Sequence, residues 1–157
     1  MASSGKPSEN APFFVDNERI VLNRDGVWLA DGTEITHEGT RRLFARSLRL
    51  EPDGWWLIVG RERKQIEVAD TPYFVERIEG APERGYVLFL NDETSEPLDP
   101  ASLAYKPGRL SCRAKGEFTA KFLRAPYFDL LKHLQEDDHH YYLTLQNRRF
   151  ELARKPT

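Results

Sequence analysis

Internal disulfides are excluded, because the 157-residue chain has one cysteine, Cys112. A reducing compartment, the cytoplasm, is the natural reading. Long apolar runs are missing too. The longest, Trp55-Trp56-Leu57-Ile58-Val59, is strand-sized and far short of the ~20 residues that span a bilayer. No excess of one charge is present: 23 Lys and Arg stand against 25 Asp and Glu, for a net charge of −2. That balance weighs against a protein that coats nucleic acid. The chain contains no glycine-rich phosphate loop, nucleophile elbow, CxxC pair or HExxH helix, so its sequence predicts neither an enzyme nor a cofactor. The first dozen residues hold Ser, Gly, Pro and Asn where a signal peptide needs an apolar stretch.

Aromatic side chains are plentiful, with nine Phe, six Tyr and three Trp. Burying one such side chain stabilises by about 1.5–3 kcal/mol, so a core is within reach. Strand patterns occupy residues 19–22, 27–30 and 33–35, separated by turns at Asp25-Gly26 and Asp31-Gly32. Thr36 is placed to cap a helix over residues 37–50, with Leu43, Phe44 and Leu48 on one face. Strands follow over 55–59, 64–68, 73–79 and 86–91. Residues 92–100, with Pro97 and Pro100, read as a linker. Further on come strands over 103–105, 109–114 and 117–123, a helix from Pro126 with Tyr127, Leu130, Leu131 and Leu134 at helical spacing, and a hairpin over 141–152. Glu136-Asp137-Asp138 reads as the end of that helix.

The second half repeats the order of the first. Trp55-Trp56-Leu57-Ile58-Val59 overlies Tyr141-Tyr142-Leu143-Thr144-Leu145 at an offset of 86 residues (141 minus 55), and Asp31-Gly32 overlies Lys115-Gly116 at 84 (115 minus 31). Helix overlies helix, with Leu48 over Leu134. The prediction is an α+β fold of two related small units, each a mostly antiparallel sheet with one helix. Its parts are a disordered tail over 1–16, a first unit over 17–91, the linker over 92–100 and a second unit over 101–157. The seam between such units is a favoured place for a small-molecule site.

Several segments together resemble the bacterial domain of unknown function 1285 family. They are Asp25-Gly26-Val27-Trp28, Gly32-Thr33-Glu34-Ile35-Thr36, Arg42-Leu43-Phe44, Asp53-Gly54-Trp55-Trp56-Leu57 and Ile66-Glu67-Val68-Ala69-Asp70-Thr71-Pro72-Tyr73-Phe74. In the second half, Ala114-Lys115-Gly116-Glu117-Phe118-Thr119-Ala120 and Arg124-Ala125-Pro126-Tyr127-Phe128 continue the likeness. The resemblance implies a duplicated core whose second unit is similar to a pleckstrin-homology (PH-like) barrel. It also implies a signalling role and a site between the units suited to a nucleotide-like ligand, with no established activity. The family's Thr-Pro-x-Glu stretch is replaced by Val59-Gly60-Arg61-Glu62, where Glu62 alone matches. Asn91, Arg113 and Arg124 fall where the family pattern is polar or basic.

The candidate ligand-binding residues are therefore Glu62, Arg63, Asn91, Arg113 and Arg124. Arg63 offers a planar fork for phosphate; the plainer reading of Glu62 and Arg63 is a solvated turn. Arg124 precedes a helix N-terminus, where unpaired N–H groups attract anions; otherwise it is a surface arginine. Asp137, Asp138, His139 and His140 invite a metal, but adjacent strand residues point to opposite faces, so no metal is predicted. Cys112 reads as a buried small apolar residue. Trp55, Trp56, Tyr141 and Tyr142 read as core, with single-stranded nucleic acid as the rival partner. The sequence thus favours a non-catalytic regulatory module for a small anionic, nucleotide-like ligand. The alternatives are a protein-interaction module using a free sheet edge and an enzyme with a dispersed site.

Overall fold

Turn chemistry sets the first hairpins. Asp31 and Gly32 hold φ of 48° and 83°, the primed-turn geometry that matches strand twist. They join β2 (Trp28–Ala30) to β3 (Thr33–Glu34). β1 (Ile20–Leu22) reaches β2 through a loop in which Asn23 Oδ1 accepts from the N–H groups of Asp25 and Val27, both at 2.9 Å. The computed structural model describes residues 13–156.

Helix α1 (Glu38–Arg46) is capped by His37 rather than Thr36: His37 Nδ1 accepts from Thr40 N at 3.1 Å. It also stops earlier than periodicity alone predicts. Ser47 N–H closes onto the carbonyls of Leu43 and Phe44, and the next residues form β4 (Leu48–Glu51). Leu48 is an apolar position in either pattern. Pairing it with Leu57 of β5 (Gly54–Val59) buries both, and that tertiary gain overrides local helix preference. With β6 (Glu62–Val68), the first sheet runs β3-β2-β1-β6-β5-β4. Its central pair, β1 and β6, is parallel, with Leu22 opposite Val68.

The second sheet contains β7 (Tyr73–Ala81), β8 (Gly85–Leu90), β9 (Ser95–Pro97), β10 (Ala104–Lys106), β11 (Arg109–Ala114) and β12 (Phe118–Phe122). Its order is β10-β11-β12-β7-β8-β9, and β12 lies parallel to β7. Helix α2 (Arg124–Leu131) follows, then β13 (Gln135–Glu136), β14 (His140–Leu145) and β15 (Arg148–Arg154) as a three-stranded sheet. Helix α2 begins two residues before Pro126 and ends before Leu134. Gln135 and Glu136 leave it to pair with Tyr142 and Tyr141.

Two boundaries differ from the sequence reading. The hydrogen-bonded sheets divide at Asp70-Thr71-Pro72, not in residues 92–100. That segment carries β9, paired with β8, and a single 3-10 turn over Pro100–Ser102. Its prolines are compatible with pairing because β9 is an edge strand. The expected tail over 1–16 lies outside the described residues up to position 12, whereas Phe14 is buried against Phe44.

The fold is α+β, as the sequence predicts. β1–β3, α1 and β4–β6 are followed, after β7–β9, by the same order in β10–β12, α2 and β13–β15. Lys115 and Gly116 repeat the primed turn, with φ of 52° and 86°. Leu57 and Leu143, an offset of 86 apart, are both fully buried, and Phe44 and Leu130 are buried at the same offset. One apolar cluster links Trp28, Phe44, Leu57, Phe74, Leu88, Leu110, Leu130 and Leu143. β10 lies beside β15, with Tyr105 and Tyr141 in edge contact at 6.0 Å. No ladder joins those two strands among the described residues.

Candidate functional site

Two hairpin turns and a helix start enclose an open cleft of about 940 Å³. Arg24 and Asp25 come from the β1–β2 turn, Gly108 and Arg109 from the β10–β11 turn, Lys121 to Leu123 from β12, and Arg124, Tyr127 and Phe128 from α2. Each part is held in place. A Cβ on Gly26, whose φ is 83°, would stand 3.2 Å from the Phe74 ring, so only glycine lets the first turn rest on β7. Gly108 N–H donates to the Tyr127 hydroxyl at 2.9 Å, tying the second turn to α2. Leu123 supplies no side-chain cap to α2, and Pro126 has no N–H. The amides of Arg124 and Ala125 thus have no backbone or side-chain acceptor among the described residues.

The cations of the cleft fall into two pairs. Arg109 Nη2 and Lys121 Nζ donate to the two oxygens of Asp70, at 2.8 and 3.0 Å. Burial alone would raise the Asp70 pKa, but the hydrogen bonds from Lys121 and Arg109 hold it below the usual carboxylate range. Arg24 and Arg124 form no ion pair among the described residues. The Arg124 guanidinium stands 5.0 Å over the ring of Phe128, an aromatic that is 53% exposed. This wall suits an anion that also presents a flat face. Burial and neighbouring Tyr127 raise the pKa of Tyr105.

Among the sequence-derived candidates, Arg124 lines this cleft and the others lie elsewhere. Glu62 accepts the N–H groups of Phe13, at 2.6 and 2.7 Å, and of Phe14, at 3.0 Å, and so pins the start of the described chain. Arg63 pairs with Glu51 at 3.0 Å and lies 4.7 Å over Trp56. Asn91 is buried; its Oδ1 accepts from Phe74 N at 3.0 Å and its carbonyl accepts from Arg42. Arg113 pairs with Asp99. These four are occupied in structural contacts, and the five candidates do not form one site.

Sequence reasoning missed Arg24, Asp25, Asp70, Arg109, Lys121 and Phe128. A signal was present for the turns. Arg24 and Gly108 are 84 residues apart (108 minus 24), the same offset that relates the Gly turns. The matched hairpin tips of the two arms therefore meet at the cleft.

The other singled-out residues have local partners. Asp137 accepts from Arg149 and from the N–H groups of His139 and His140, contacts that hold its carboxyl well below the usual range. Among the described residues no group of His, Cys, Asp or Glu is arranged to hold a metal. Cys112 is buried in β11, and burial pushes its thiol up to about 12. Trp55 packs on Phe118 at 5.5 Å, and Phe118 on Tyr73 at 5.8 Å, so this side of the junction is filled with aromatic rings while the cleft side is open and lined by both cations and apolar side chains. Trp56 donates to Asp53 at 2.8 Å, and Arg149 lies 3.7 Å over Tyr142. No described helix is long and apolar enough to cross a membrane.

Fold and site together define an α+β protein of two sheet-built arms with a cation-lined cleft where their hairpin tips meet. Residues 8–71 match the family model described as "Domain of unknown function (DUF1285), N-terminal domain". The resemblance to this family read in the sequence holds over that segment. Two crystal structures share the fold. A DUF1285 family protein from Silicibacter pomeroyi DSS-3 has a TM-score of 0.66 at 21% identity, covering 86% of this chain and 79% of that one. A DUF1285 family protein from Shewanella baltica OS155 has a TM-score of 0.57 at 20% identity, covering 74% of this chain and 92% of that one. No curated protein matches the chain.

Proposed function

We propose that this chain is a non-catalytic binding module of the bacterial cytosol that takes a small anionic, nucleotide-like ligand in the cleft, in a regulatory or signalling role. The units on either side are read as duplicated modules, the second PH-like. One observation carries the reading. Arg24 and Arg124, contributed by different arms and without carboxylate partners among the described residues, flank an open cleft beside the exposed ring of Phe128. Both side chains are exposed at the cleft mouth, and an incoming phosphate engages their forks with charge-assisted hydrogen bonds. Phe128 supplies a stacking face for a planar ring.

The test is calorimetric titration of the chain with adenosine and uridine monophosphates and with inorganic phosphate, paired with thermal shift. Binding that weakens in Arg124→Gln supports the reading. Absence of heat and of any shift at millimolar ligand overturns it.

A further inference from the structure

Asp70 sits in the connection between the two six-stranded sheets. Buried Thr71 beside it fixes the local chain by donating its hydroxyl to Tyr73 O at 3.0 Å. The Asp70 side chain is 19% exposed and gives one oxygen to each of two cleft cations. Lys121, at 15% exposed, is the more buried of these cations. An ammonium so placed needs a counter-charge, and Asp70 supplies it from within the chain.

The charges around the cleft can be added up. Arg24, Arg109, Lys121 and Arg124 supply four positive charges; Asp25 and Asp70 supply two negative ones. Two positive charges remain on the wall, and Arg24 and Arg124 are the cations without an ion-pair partner among the described residues. A phosphomonoester near neutral pH carries about −1.5 to −2. A triphosphate carries more than this wall neutralises, and its surplus charge would face the Asp25 and Asp70 carboxylates.

We propose that Asp70 is the specificity-determining residue of the cleft: by occupying Arg109 and Lys121 it matches the site to a single dianionic phosphate and denies polyphosphates the gain in affinity that their extra charge would otherwise bring. The inference rests on the reading of the cleft as an anion site. It adds the charge class of the ligand and the residue that sets it. Arg109 and Lys121 act as a fixed wall, positioned by Asp70, while Arg24 and Arg124 make the contacts that change on binding.

The experiment titrates inorganic phosphate, pyrophosphate and tripolyphosphate, without metal ions, into the wild type, Asp70→Asn and Asp70→Glu at low salt. In the wild type, affinity changes by less than about threefold along the series, because added ligand charge meets no added positive charge. In Asp70→Asn, tripolyphosphate gains about tenfold more than phosphate does, since one more cation is released at close range. Asp70→Glu restores the wild-type pattern. An equal change for all three anions in Asp70→Asn reduces Asp70 to a structural brace and overturns the inference, while the anion-site reading survives. A wild-type affinity that climbs steeply with ligand charge also overturns it, and this outcome stands even if Asp70→Asn folds poorly. Failure of all three anions to bind any of the proteins overturns both readings.

Discussion

The arms spanning residues 20–68 and 104–154 use one order of elements yet close differently. In the first, β1 and β6 pair in parallel and unite two meanders into one sheet. In the second, β10 and β15 lie side by side without a ladder, and β12 instead pairs with β7. The reason is local. β1 presents Ile20 and Leu22, both buried, to the core. β10 is Ala104-Tyr105-Lys106, exposed at both ends and followed by Pro107, which has no N–H to extend a ladder. Element order is therefore a weaker determinant of sheet closure than the burial of the few residues at the seam.

Matched substitutions sharpen this comparison. Leu57→Ala and Leu143→Ala, at equivalent fully buried positions, should each cost about 2–5 kcal/mol. Urea unfolding followed by circular dichroism should show one transition for both, because a single apolar cluster spans the arms. Two separated transitions would break the picture of a shared core. Arg124→Gln should weaken phosphate binding about tenfold, the loss expected for one hydrogen bond to a charged group. Arg63→Gln, which lies outside the cleft and pairs with Glu51, should leave it unchanged; equal losses would erase the distinction between the arms.

Gly32→Ala and Gly116→Ala probe the two primed turns. Neither added Cβ meets a neighbour, so the penalty is purely conformational. Each should cost about 1 kcal/mol, or roughly 2–4 °C in melting temperature. A large difference between them would mean that the turns are not equivalent. The smallest effect concerns pH. The native pKa of Asp70 is depressed despite burial, by Lys121 and Arg109. Its contribution is therefore present above the ordinary carboxylate pKa and lost as pH falls through the lower native value. Unfolding free energy should decline as the solution is acidified below about pH 5, with a shallower slope for Asp70→Asn.

Most of the fold was legible in residue order. Alternation, Gly turns and the matched aromatic strands located the hairpins of both arms, because these features are set within a few residues. The helix ends were not. Leu48 suits both a helix face and a strand, and only Leu57 across the ladder decides between them. The strand β9 within residues 92–100 was not legible, because the prolines of an edge strand resemble those of a loop. Of the site, Arg124 was legible from its place before a helix. Glu62, Arg63, Asn91 and Arg113 were not separable from cleft residues, since Phe13, Glu51, Phe74 and Asp99 hold them from distant parts of the chain. The Asp70 link to Arg109 and Lys121 spans 39 and 51 residues, beyond any local pattern.

The sealed thiol of β11 gives this molecule a built-in clock. Cys112 is the chain's sole sulfhydryl, so a thiol-specific reagent has one target, and it can react only in moments when β11 parts from its neighbours and the core. The labelling rate in native buffer then counts those openings directly, without an engineered probe. A ligand held in the cleft, whose wall includes Arg109 three residues away on the same strand, should slow the count in proportion to its occupancy.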